Sequence, residues 1–467
     1  MPLGVDEVRN DASALHRFID SLLSECDLSS DQPRFLKPTK DLLNYIRDLA
    51  DATKSHLADF VKDLDPNLAL ADPDDFCSRA QRIQTLRLSW FDLHEFVKPS
   101  LDADTLHIPY PLTNTMTSRL HQISGLQDVE FAVLHCTEVN YFQIRAGYVR
   151  DRANEIRAIV PNAPLFPDNL GIIALPYSQA TTFFLNSALA HEMGHFVFQE
   201  RGISAQFRLP GITAIGQVSG TGLPLQELSW CLDCILRWSE ELYCDLFALW
   251  LIGPAFSFSF IELFALTRLA PNPVSSGPTL PPIASKANFR PSHPAEAFRL
   301  AEHLRFLKSP DLGWWDGIKD SPSHYLRLLT DAEALPQSCF TFPVQSALPR
   351  ARIALAAFLQ IVPEVERAVR ETFKGVSSDA TAFSEQRVAI CKYLSHGVVP
   401  SRLVSKDAVQ IPSAVAVVNS AYLFCLDNLD DLIQRIDGAD KTCLECRAFW
   451  TTRVELWTRK ALEDINP

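Results

Sequence analysis

No apolar run in this chain reaches the roughly 20 residues that a membrane-spanning helix needs. The longest, Leu246 to Ile261, lies between Asp245 and Glu262 and is broken by Gly253-Pro254, so it reads as buried helix. The start of the chain, Met1-Pro2-Leu3-Gly4-Val5-Asp6-Glu7, shows no basic stretch followed by an apolar one, and no secretory signal is expected. Positive charge is in deficit: 43 Lys and Arg against 56 Asp and Glu leave a net charge of −13. With no basic stripe interleaved with aromatics, nucleic acid is excluded as a partner. Cysteines are odd in number, 11, which together with the missing signal excludes a disulfide framework and implies reduced thiols. The Cys-x-x-Cys pairs Cys231/Cys234 and Cys443/Cys446 stand far apart in apolar, helix-like surroundings, where buried helix thiols are expected rather than a zinc ribbon. Repeats and low-complexity tracts are absent. These exclusions point to a cytoplasmic chain without a membrane span, and 47% hydrophobic residues suffice for a large core.

Three regions follow from the pattern along the chain. Residues 1–128 read as helical: Leu15, Phe18, Ile19 and Leu22 recur at helical spacing, as do Leu42, Leu43, Ile46 and Leu49. Pro33, Pro38, Pro66 and Pro73 are expected to cut this region into short helices. Residues 129–305 begin with two short strand-like runs, Val129–Leu134 and Gly171–Pro176. Within them, 200–226 is rich in Gly, Pro, Ser and Thr and reads as a loop or hairpin over a cleft. Residues 271–291 carry six prolines without periodicity and read as an extended loop. Residues 306–467 return to helical spacing. The expected fold is α+β and mostly helical, with a small sheet in the middle region.

What is present in the middle region is a metal-site pattern. Histidine is scarce, 12 in 467 residues, yet His191 and His195 are four apart in Ala190-His191-Glu192-Met193-Gly194-His195. On a helix that spacing points both imidazoles at one cation. Glu192, beside the first histidine, is placed to take a proton from the water such a cation activates. A catalytic zinc usually has three protein ligands and one open position. The extended pattern ending in Gly and His would put them at Phe198 and Arg201, and neither fits. A second helix offers the other route, through Ser239-Glu240-Glu241-Leu242-Tyr243-Cys244-Asp245. Glu241 and Asp245 share a face, so Glu241 can ligate while Asp245 accepts the far N–H of a ligand histidine. Glu240 competes for the ligand role, but the residue four places on is Cys244, a poorer acceptor. Cys234, on the face of Glu241, is placed either to line a cavity near the metal or simply to pack.

His191-Glu192-x-x-His195 followed by Glu241-x-x-x-Asp245 resembles the Glu-zincin (gluzincin) peptidases. It is most similar to the CaaX-prenyl-protease and heat-shock-peptidase group, whose later His-Pro…Arg motif is matched by His293-Pro294 and Arg299. The resemblance covers residues 170–305 and departs from that group in lacking membrane spans. It implies a zincin-like core, a peptide or protein substrate paired along a sheet edge just upstream of the zinc helix, and hydrolysis with Glu192 as base. It also implies that His293 donates to the oxyanion and that Arg299 braces the site. The expectation is thus a zinc metallopeptidase with His191, His195 and Glu241 as ligands and Asp245 behind them. The rival is a zincin-fold binding, sensing or scaffold protein, against which the retained general base Glu192 counts.

Overall fold

The helical spacing of the N-terminal region becomes long helices. In the computed structural model α1 (Val5–Ser30), α2 (Lys37–Lys62) and α3 (Pro73–Asp102) are 26, 26 and 30 residues long. They are longer than the prolines suggest, because Pro38 and Pro73 occupy first turns, where a missing N–H costs nothing. The structure describes residues 5–30, 37–64, 71–102, 109–136, 146–176, 182–220, 223–268, 287–288, 292–335, 340–341, 348–404, 408–437 and 444–466.

Two compact units emerge, Met1–Ile108 with Asp128–Thr181, and Pro109–Gln127 with Thr182–Pro467. They cut across the three-part division. The strands group with the N-terminal helices, and α10 (Glu296–Leu307) runs through the boundary placed at 305.

In the first unit α1, α2, α3 and α5 (Ala146–Ile159) pack about a two-stranded parallel sheet. Strand β1 (Glu130–Cys136) pairs with β2 (Leu170–Pro176), from Glu130 opposite Leu170 to Cys136 opposite Pro176. Phe131–Leu134 and Leu170–Leu175 are buried without alternation, as expected of parallel strands covered on both faces. The strand expected to pair with substrate therefore belongs to the first unit, while every expected ligand belongs to the second.

Among the described residues the second unit is helical apart from two minimal strand pairs, β3 (Ala287–Asn288) with β4 (Phe340–Thr341) and β5 (Leu403–Val404) with β6 (Val409–Gln410). Its helices are α4 (Tyr110–Leu120), α6 (Leu189–Glu200), α7 (Ser204–Ser219), α8 (Leu225–Ile252), α9 (Pro254–Arg268) and α10. Then follow α11 (Trp314–Ile318), α12 (His324–Glu333), α13 (Leu348–Thr372), α14 (Ala380–Ser395), α15 (Ala414–Asp427), α16 (Leu429–Asp437) and α17 (Leu444–Ile465). At the centre is α8, against which α6, α7, α10 and α13 pack. From Leu242 to Ile252 every residue of α8 is buried, the mark of a helix enclosed on all sides. The fold is α+β and mostly helical, and among the described residues no helix is long and apolar enough to cross a membrane.

One expectation fails here. The stretch read as a loop or hairpin over 200–226 is largely α7, with Pro210 inside it. Phe207, Gly211, Ala214 and Ile215 form its buried stripe, a helical period that the Gly and Pro content obscures. The proline-rich segment, apart from Ala287–Asn288, lies outside the described residues.

The apolar run beyond Asp245 breaks where the sequence suggests. Gly253 takes a φ of +74°, open to glycine but strained for other residues, and a Cβ there would meet the Trp314 ring at 2.8 Å. The buried amide of Asn419 on α15 bridges the break. Its Nδ2 donates to the Ile252 carbonyl at 2.8 Å, and its Oδ1 accepts from Ala255 N at 2.7 Å. Asn419→Leu should remove the partner of both buried backbone groups and cost about 2–6 kcal/mol, at ~1–3 kcal/mol for each group. Denaturant unfolding checks this, and a loss under ~1 kcal/mol would show that the bridge contributes little.

Candidate metal centre

The site is built where α6 crosses α8. A 3-10 turn, Phe184–Ala188, leads directly into α6, which carries His191, Glu192 and His195. Gly194 lets the two helices touch: a Cβ there would lie 2.9 Å from Cys244 Cα and 3.2 Å from Cys244 Cβ. Only at that approach do the histidines of α6 reach the carboxylates of α8.

Both imidazoles present Nε2 to one carboxylate. His191 Nε2 lies 3.5 Å from Glu241 Oε2, and His195 Nε2 lies 3.6 Å from Glu241 Oε1. These separations are long for hydrogen bonds. They suit ligand atoms sharing one ion, because donors held tetrahedrally at ~2.0–2.1 Å from zinc stand roughly 3.3 Å apart. The rings are 4.8 Å apart and nearly perpendicular, and Phe256 stacks on His191.

Each Nδ1 faces its own carboxylate. His195 Nδ1 is 3.0 Å from Glu240 Oε1, which also accepts from Gln199 Nε2. His191 Nδ1 is 2.9 Å from Asp245 Oδ1, close but oblique to a well-formed hydrogen bond. With Nδ1 engaged outward, each Nε2 is left to face inward. Glu240, the competing ligand candidate, thus stands behind a histidine. Its signal was its adjacency to Glu241, which places a carboxylate on either side of the ligand.

His191, His195 and Cys244 also offer potential ligand atoms within 4.8 Å of one another. We favour Glu241 over Cys244 as the third ligand, since each of its oxygens faces a different Nε2. The Cys244 thiol is held well above its ordinary pKa by burial and by Glu240, Glu241, Asp245 and Glu192. Cys234 is buried, and burial pushes its thiol up to about 12. The thiol beside the histidines is Cys244, which sequence reasoning passed over.

The later motif joins the same cluster. His293 is half exposed, with Nε2 3.4 Å from Glu241 Oε1 and Nδ1 2.9 Å from Ser292 Oγ. Burial, partly opposed by Glu241, lowers its pKa and favours the neutral ring. Arg299 on α10 is buried and grips Asp245 with two bonds of 2.6 Å, while its Nη1 lies 3.3 Å from Glu241 Oε2. Phe260 covers the guanidinium at 4.6 Å. Glu192 is largely buried in the same helical turn as His191.

Compared with known families, curated proteins and solved structures, the chain matches none of them.

Two outcomes follow. Gly194→Ala forces a methyl group against the α8 backbone and should cost about 1–3 kcal/mol, the usual penalty of overpacking. It should also reduce metal content, because the carboxylates retreat from the histidines. Unchanged stability and metal uptake would refute this role for the crossing.

The second concerns pH. Burial alone would lower the pKa of His191, but Asp245 and Glu241 outweigh it and raise it from 6.5 to about 10. In metal-stripped protein this pairing stabilises the fold fully below the unfolded-state value and is lost as pH rises through the folded one. The depressed Glu241 and Asp245 act oppositely, their contribution being lost in acid. Thermal unfolding in chelator should therefore show Tm falling between pH 6.5 and about 10. A Tm that rises across that interval would contradict the assignment.

Proposed function

We propose that this chain is a zinc-dependent peptidase of the gluzincin kind, in which His191, His195 and Glu241 hold the metal. The supporting observation is that two Nε2 atoms face the two oxygens of one buried carboxylate at 3.5 and 3.6 Å, while both Nδ1 atoms face carboxylates of their own. Charge supports the same reading. Glu192, Glu240, Glu241 and Asp245 converge here, with Arg299 paired to two of them, so a cation suits the cluster. Zinc, when bound, supplies Lewis acidity that polarises a carbonyl and acidifies water.

The side chains carry the rest of the reaction. Glu192 accepts a proton from the attacking water and returns it to the leaving amine. His293, with the Ser292 hydroxyl at Nδ1, presents Nε2–H toward the reacting centre and donates to the developing oxyanion. Arg299 holds Glu241 and Asp245 in place and keeps both ionised. The substrate class is peptide or protein, a reading that follows from the resemblance and from the pairing of a buried base with an oxyanion donor.

Purified protein should carry close to one zinc per chain. Glu192→Gln should keep zinc and fold while peptide hydrolysis falls by about 10²–10⁴, the contribution of a general base. Cleavage of a broad peptide library, with zinc content measured on the same preparations, is the check. Equal hydrolysis by variant and wild type would remove Glu192 from the mechanism. Zinc uptake without hydrolysis of any peptide would favour the binding or sensing protein instead.

A further inference from the structure

Behind the expected ligands lies a buried chain of polar groups that the peptidase motifs do not include. Asp245 is fully buried, and both of its oxygens are doubly approached. Oδ1 accepts from Arg299 Nη2 at 2.6 Å and faces His191 Nδ1 at 2.9 Å. Oδ2 accepts from Arg299 Nε at 2.6 Å and faces His303 Nε2 at 3.1 Å. Arg299 supplies the two well-formed bonds to it, while His191 Nδ1 and His303 Nε2 stand within reach of its remaining lone pairs but oblique to a well-formed hydrogen bond. His303 sits at 0% exposure among Phe256 and Phe260, and its Nδ1 lies 3.3 Å from Ser257 Oγ.

We infer that His303 and Ser257 are positioning residues for the metal centre, acting on His191 through Asp245. The inference rests on the metal-site reading above and extends it to two residues outside the ligand motifs. For His303 to serve a carboxylate, Nε2 must carry the proton. In the neutral ring Nδ1 is then an acceptor, and the Ser257 hydroxyl is the donor beside it. Burial lowers the pKa of His303, which favours that neutral ring despite Asp245. Asp245, with Oδ2 engaged on this side, turns Oδ1 to His191 Nδ1. That contact leaves the Nε2 lone pair of His191 toward Glu241.

Spacing offers independent support. His303 follows Arg299 by one helical turn of α10, so both donors rise from one face onto the same carboxylate. Ser257 comes from α9, just past the Gly253 break. His191, Asp245, His303 and Ser257 thus tie α6, α8, α10 and α9 to one point. A core histidine present only to fill space would not need a carboxylate on one nitrogen and a hydroxyl on the other.

The test is zinc affinity of the full chain, measured by competition with a chelating dye, for wild type, His303→Leu, His303→Gln and Ser257→Ala. Gln places an amide N–H where His303 presents Nε2, and Leu does not. Affinity should fall about 10- to 100-fold in His303→Leu, as for other partners that orient a ligand histidine, and His303→Gln should recover most of it. Ser257→Ala should fall in the same direction by a smaller factor. If His303→Leu does not fold, the Gln and Ala variants still decide: His303→Gln near wild type with Ser257→Ala weakened supports the chain. Gln as weak as a folded Leu variant would reduce His303 to a packing residue and overturn the inference. Wild-type affinity in every variant would overturn it too, leaving the metal site standing. A wild type that takes up no zinc would sink both readings.

Discussion

Asp245 is an ionised carboxylate that water does not reach, and the second unit is arranged around satisfying it. Leaving such a charge unpaired in a protein interior costs several kcal/mol. Arg299 removes most of that cost with two in-register bonds, which fixes α10 against α8. The guanidinium is too buried to be solvated, and Phe260 and Glu241 complete its surroundings. Two imidazoles approach the same carboxylate, at 2.9 and 3.1 Å, so one buried ion pair gathers side chains from neighbouring helices.

The geometry of the candidate metal centre is the visible consequence. A histidine ring has two nitrogens, and engaging one outward commits the other inward. Both histidines of α6 are so engaged, by Asp245 and by Glu240. The separation between their inward nitrogens and Glu241 depends on how closely two helices approach. Gly194 sets that approach, because the α8 backbone leaves no space for a methyl group. Spacing within a helix and contact between helices are separate requirements, and the site needs both.

Much of this was legible beforehand. The four-residue spacings His191/His195 and Glu241/Asp245 are properties of an α-helix and hold wherever the helix sits. The stripes of α1 and α2, the strands β1 and β2, and the break at Gly253-Pro254 are likewise local, and the structure shows them where the pattern put them. The reading of 200–226 failed because Gly and Pro content was weighed above the buried spacing of Phe207, Gly211, Ala214 and Ile215. The prolines of the N-terminal region misled in a related way, since Pro38 and Pro73 start helices rather than end them.

By itself, then, the sequence determined which residues share a helix face, because the helical repeat converts spacing into direction. It could not settle which carboxylate faces which ring nitrogen, which thiol lies against the histidines, or that His303 stands behind Asp245. Those outcomes depend on the rotation and crossing of α6, α8, α9 and α10 about one another. Only the packed tertiary structure decides them, because the crossing is set by side chains far apart in the chain competing for one buried volume and one buried charge.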